Sequence, residues 1–158
     1  MTVTVRIQQA DFDVGQEIAA LRQASSHGNS SEIGAVASFT GVCRGGDKGH
    51  EIAAMTLEHY PGMAEAEIER HAAEACARWP LAGVTVIHRF GRLVPGDNIM
   101  MVLTASAHRQ AAFQAAEFLM DYLKAHAPFW KREEAADGSK WVEAQQHDDA
   151  AAARWDKI

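Results

Sequence analysis

The chain has 158 residues, 47% of them hydrophobic and 23% charged, with a formal net charge of −6. That size and balance describe one soluble domain with its own core, and the acidic excess argues against non-specific nucleic-acid binding. No segment is long or apolar enough to span a membrane. Met1 to Phe12 (MTVTVRIQQADF) alternates like a strand and lacks the apolar stretch of a secretion signal, so cytoplasmic residence is expected.

Thr2 to Gln8 alternates apolar and polar residues and predicts a strand. Asp13 is placed to cap a short helix through Gln23, with Gln16 in capping-box position. Ser25 to Ser31 is a polar loop. Ile33 to Val42 is apolar and β-rich, a buried strand. Arg44 to His50 (RGGDKGH) is a flexible, Gly-rich loop with little to pack. Glu51 to Tyr60 predicts a further strand. Pro61 opens an Ala-rich helix through Trp79.

Gly83 to Phe90 is the next strand, Val94 to Asp97 a β-turn, and Asn98 to Ala107 the antiparallel partner strand. A long helix runs from His108 to Ala125, with Ala112, Phe113, Ala116, Leu119, Met120 and Leu123 on one stripe. Pro128 stops it. Two short strands around Trp130 and Trp141 follow, joined by a turn at Asp137 and Gly138. Asp148 to Ile158 forms a short helical or frayed tail. The order predicts one α+β domain over residues 1–158 with mostly antiparallel pairing.

Three places could carry chemistry. In MDYLKAHAPFWKRE (120–133), Lys124 lies one turn before the helix end and Lys131 and Arg132 follow the Pro128 corner. Three cations at one rigid corner suit a small anion, although cations also sit at helix C-termini to complement the helix dipole. The junction Ser106-Ala-His108-Arg109 is the second place. Ser106 is placed to cap the helix, and free N–H groups beside His108 and the Arg109 guanidinium suit phosphate. Arg44 is the third, at the end of a buried strand where it enters a loop. In isolation, a capped helix and a solvated arginine explain the last two.

No phosphate-loop or dinucleotide-binding glycine motif occurs. Cys43 and Cys76 form no CxxC pair or disulfide framework, and Cys43 reads as a buried thiol rather than a nucleophile. None of the eight histidines makes an HExxH or HxH pair, so no metal site is expected. Met120 and Phe39 occupy core-like positions from which either could wall a flat ring.

Taken together, TLEHYPGM (56–63), RWPL (78–81), VTVIHRFG (84–91), PGD (95–97), SAHR (106–109), MDYLKAHAPFWKRE (120–133) and WVEA (141–144) resemble the large, catalytic subunit of molybdopterin synthase, the MoaE family. FTGVCR (39–44) resembles that family's FTGxxR segment. The match runs in order over about residues 33–145.

The resemblance implies an α/β hammerhead fold with an additional antiparallel β subdomain, and a homodimer. It implies a partner, the small ubiquitin-like sulfur carrier MoaD, whose Gly-Gly thiocarboxylate tail enters each large subunit to give a heterotetramer. The implied reaction adds two sulfurs to cyclic pyranopterin monophosphate and forms the molybdopterin dithiolene, a sulfurtransferase activity that needs no cofactor of its own.

By position, the resemblance makes Lys124 the central catalytic lysine and Lys131 its support. Arg44, His108, Arg109 and Arg132 fall on substrate-contacting segments, and Phe39 and Met120 line the pocket. Gln145 departs from the family, which often carries Arg there. The competing expectation is a non-catalytic dimer that binds an anionic metabolite, or a paralogue that only docks the carrier. The retained Lys124 and Lys131 argue against it.

Overall fold

A computed structural model describes residues 1–25, 32–142 and 146–157. Its main sheet has four strands in the order β1-β5-β7-β2, where β1 is Thr2–Gln8, β2 is Ala35–Val42, β5 is Leu81–Arg89 and β7 is Asn98–Ser106. β5–β7 and β7–β2 are antiparallel, but β1 lies parallel to β5. Strand periodicity carries no information about direction, so this one parallel pair is invisible in the alternation of residues 2–8.

The central strands are largely apolar because both faces are covered, and successive side chains point to opposite faces. Helix α1 (Val14–Ser25) covers one face over Phe12, Leu21, Ile87, Met101, Leu103 and Ala105. Helices α2 (Met63–Arg78) and α3 (Arg109–His126) cover the other, where Val84, Val86, Met100 and Val102 meet Ile68, Phe118 and Leu119. Asp13 starts α1 as expected, its carboxylate accepting from Gln16 N–H at 2.9 Å.

The second sheet is antiparallel and runs β3-β4-β8-β9, with β6 also paired to β4. Here β3 is Gly46–Asp47, β4 His50–His59, β6 Gly91–Leu93, β8 Phe129–Ala135 and β9 Gly138–Val142. A small core of Cys43, Met55, Leu57 and Leu93 lies beneath it. A mixed sheet with helices plus an antiparallel subdomain bears out the expected fold class.

Several local expectations change. The loop after Arg44 is a tight hairpin, because Gly46 and Gly49 (φ 83° and 89°) supply the left-handed turn that lets β3 pair with β4. Pro61 precedes its helix, which starts at Met63 after Gly62. Ser106 does not cap α3: its hydroxyl donates to Pro80 O at 2.9 Å, and His108 takes the N-cap position. Ser106 still ends β7, two residues before the cap, and among the described residues its Oγ accepts only from the His108 N–H at 3.4 Å.

The C-terminal segment is docked rather than frayed. Helix α4 (Gln146–Ala153) leads into a 3-10 turn (Arg154–Lys157) that inserts Trp155, 6% exposed, edge-on to Trp79 and Phe118 at 5.6 Å each. Trp155 Nε1 donates to Asp121 at 2.7 Å, Arg78 donates to Trp155 O at 2.9 Å, and Tyr122 OH donates to Asp156 at 2.9 Å. Trp155→Ala should therefore lower unfolding stability by about 3–4 kcal/mol. Urea unfolding checks this, and a change under 1 kcal/mol would show that the segment contributes little to the fold.

Candidate active site

On the face of the main sheet covered by α3, Ile7, His88, Met100 and Gly41 form one cross-strand row. The chain turns back after β7, so α3 runs antiparallel to it and brings its C-terminal end over this row. Met120 is half-buried against the main core, and Lys124, one turn later, is exposed. Phe39, 42% exposed, lies two residues before Gly41 on the same face of β2.

The floor at this end is aromatic. His88 stacks on Phe129 with ring centroids 3.8 Å apart and planes 17° from parallel. His59 leans on Phe90 at 4.7 Å and on Phe129 at 5.9 Å. His88 Nδ1 lies 2.8 Å from Arg89 O, which can only accept, so Nδ1 carries the proton. Burial pushes His88 down to about 4, against the pull of that hydrogen bond, and the charges of Lys124 and His59 push the same way. His88 is therefore a neutral, oriented ring beneath Lys124 at neutral pH.

The three cations expected at the Pro128 corner do not all face one way. Alternation along β8 sends Lys131 and Arg132 to opposite faces. Lys131 Nζ lies 3.6 Å from Glu133 Oε1 and faces the small core beside Leu57 and Cys43. Arg132 lies over the Trp141 ring at 5.8 Å, on the outer face, and its buried Nε has no hydrogen-bond partner among the described residues. Arg44 is exposed and pairs with Asp47 at 3.4 Å.

His108 and Arg109 are at the other end of α3, beside Gly34, Ala107 and Gln110 around a cleft of 500 Å³. Fifteen residues of helix separate Arg109 from Lys124, about 22 Å. Gln145 lies outside the described residues.

Cys43 is 3% exposed, and its thiol is pushed up by burial first and by Asp97 next, which leaves it protonated and unreactive. Among the described residues, no group of three or more His, Cys, Asp or Glu side chains could hold a metal. Sequence reasoning missed His88 and Phe129 as the floor of the site. The run HRFG was visible, but only the pairing of β5 with β7 and the turn at Pro128 stack those rings. It also missed a cleft of 630 Å³ on the outer face of the second sheet, lined by Glu58, His59, Tyr60, Pro61, Trp130 and Trp141.

Comparison with known proteins places this geometry. The family model "MoaE protein" matches residues 7–126. A "Molybdopterin synthase catalytic subunit" of Mesorhizobium japonicum is 61% identical over 154 residues, covering 96% of this chain and 92% of that protein. The solved "Molybdopterin biosynthesis MoaE protein" of Burkholderia ambifaria is 50% identical, with a TM-score of 0.81 and 98% of each chain covered. A solved "Protein-protein complex of subunit 1 and 2 of Molybdopterin-converting factor" from Helicobacter pylori shares the fold, with a TM-score of 0.69 at 20% identity over 90% of each chain.

The neutral His88 sets an acid limb on stability. Its folded value is depressed to about 4, so its contribution is complete above the unfolded value near 6.5 and is lost as pH falls toward 4. Between pH 7.5 and 4.5 this one group should cost about 2–3 kcal/mol. Urea unfolding of the wild type and His88→Gln at both pH values checks it: the stability gap between them should shrink by about that amount at pH 4.5. A gap that does not change with pH would show that His88 protonates freely in the fold.

Proposed function

The chain belongs to the MoaE family and has the role of the catalytic subunit of molybdopterin synthase; on that premise we propose that it transfers sulfur from the C-terminal thiocarboxylate of a MoaD-like carrier to cyclic pyranopterin monophosphate. What supports the chemistry is Lys124 at the C-terminal end of α3, close enough for its charge to act on the neutral His88, over the sheet face that also carries Phe39 and Gly41. The thiocarboxylate sulfur forms a C–S bond to a side-chain carbon of the substrate as a C–O bond at that carbon breaks, and the departing oxygen leaves protonated, as water or as the oxygen of the opened phosphate ester. Water then cleaves the acyl–sulfur bond and returns the carrier as a carboxylate.

These steps develop negative charge that an ammonium group can stabilise, and they require proton transfer close by. Lys124 does this directly, and Lys131 supports it from the adjoining strand. Phe39 and Met120 wall the pocket. Arg44 adds charge at its margin, whereas Arg132, on the outer face of β8, would have to serve a site from outside this pocket. The sulfur arrives on the carrier, which agrees with the protonated, buried Cys43. This work requires no metal or organic cofactor of the chain's own. No described helix is long and apolar enough to cross a membrane, and we place the reaction in the cytoplasm.

The 22 Å between Arg109 and Lys124 bears on assembly. A cyclic phosphate held at His108 and Arg109 cannot reach Lys124 of the same chain. A complete site then takes its phosphate end from one protomer and its lysine end from another, which supports a homodimer and, with two carriers, a heterotetramer.

Reconstitution with thiocarboxylated carrier and the cyclic substrate tests the reading. Lys124→Ala should fold normally and lose product formation by a factor on the order of 10²–10³. Near-normal product would remove Lys124 from the mechanism, and absence of product from the wild type would favour the non-catalytic alternative.

Shared sites make a second expectation. Lys124→Ala and Arg109→Ala, each inactive alone, should regain about a quarter of wild-type activity when unfolded and refolded together, because half of the dimers then hold one intact site. No recovery from a refolded mixture that is dimeric would place both groups in one protomer's site.

A further inference from the structure

Most described glycines are explained by the backbone. Gly46, Gly49, Gly62, Gly91, Gly96 and Gly138 have positive φ, and a side chain at Gly34 or Gly83 would meet another atom at 2.1 Å. Gly41 has neither reason. Its φ is not positive, and the nearest atoms to an added Cβ would be Met100 Cγ at 3.4 Å, Met100 Sδ at 3.6 Å and Phe39 Cε1 at 3.6 Å, which is ordinary contact. The fold would accept alanine there.

The position is also a costly one for glycine, inside strand β2, where it forfeits packing and chain order. A register shift follows Gly41, but the extra residue is Ile99 on β7, so the bulge does not need glycine on β2. Gly15 and Gly45 are likewise unforced, but they lie in the first turn of α1 and in the loop after β2, away from this face.

A glycine in a strand that the fold does not require marks close approach of a ligand or another backbone. Gly41 lies on the α3 face, in the row of His88 and Met100, beside the half-exposed Phe39. Among the described residues β2 pairs only with β7, so this notch opens at the sheet edge. We propose that Gly41 is a specificity-determining residue, the gauge that admits a chain end without side chains past Phe39 and Met100 to Lys124. This rests on the reading that a carrier tail ending in Gly-Gly enters here, and it assigns the size limit to one position. A methyl group at 41 would narrow the passage slightly. The branched Val side chain would close it against Phe39 and Met100 while leaving β2 well suited to its strand.

The test measures binding of the full-length chain to the carrier with its tail intact and with the two terminal glycines removed. Gly41→Val should weaken binding of the intact carrier about tenfold or more, and Gly41→Ala about threefold. The tail-less carrier should bind wild type and both variants alike, and affinity for the cyclic substrate and the unfolding midpoint should hold. If Val unfolds the chain, the Ala variant carries the same comparison.

Unchanged affinity for the intact carrier in a folded variant would overturn the proposal, as would an equal loss for the tail-less carrier. If wild type binds both carriers equally, tail entry itself fails, and the gauge fails with it. If wild type discriminates and the variants do so equally well, only the gauge fails.

Discussion

The position of α3 on the sheet is the constraint on which the site depends. The helix is held along its length, with Ala112, Ala115, Phe118, Leu119 and Leu123 buried in the main core. Near its start Thr104 donates a buried 2.6 Å hydrogen bond to Ala112 O, which ties it to β7. Its far end is tied by Asp121 and Tyr122 to the docked C-terminal turn. A rod fixed at both ends cannot bring Arg109 and Lys124 together. Any function that needs both must obtain one of them from another molecule, so the rigidity that orients Lys124 also makes assembly part of the chemistry.

The second sheet adds the complementary constraint. Pro128 turns the chain out of α3 with Ala127 extended (φ −65°, ψ 129°), as the residue before proline prefers. β8 then begins at Phe129, whose ring goes inward to His88. Once that ring is set, alternation decides the rest: Lys131 shares the inward side and Arg132 does not. Three adjacent cations in sequence become two environments. Lys131 keeps a carboxylate neighbour in Glu133, while Arg132 lies against the Trp141 ring on the outer face.

What the sequence discloses and what it hides follow the range of each interaction. The helical stripe of 109–126, the paired strands 81–89 and 98–106, and the hairpin at Asp137 and Gly138 are set by local periodicity and turn chemistry, and they are legible within a few residues. The parallel pairing of β1 with β5, the three-residue β6 and the docking of Trp155 depend on partners far away in the chain. Lys124 stands out because it sits beside a proline that must end its helix. His88 does not, since nothing in GVTVIHRF shows that Phe129 will lie on it. The misreading of Ser106 as a cap is a boundary error of two residues: β7 runs through Ser106 and His108 takes the cap. The carry-over of catalytic roles to Lys124 and Lys131 came from family motifs, and spacing alone would have left them as helix-end cations.

An acidic chain can still serve an anionic substrate, because local arrangement outweighs net charge within a Debye length. Beneath Lys124 the histidine is neutral, so it adds no second positive charge beside the exposed ammonium. A charged His88 would compete with Lys124 for the same developing negative charge and would raise the cost of desolvating the corner. A carboxylate in its place would pair with the lysine and quench it. A neutral, stacked imidazole does neither, and its Nδ1–H is already committed to Arg89 O. The sheet thus gives Lys124 a floor that is rigid, apolar on its stacked face and electrically quiet, which leaves the lysine's charge directed at whatever enters between Phe39 and Met100.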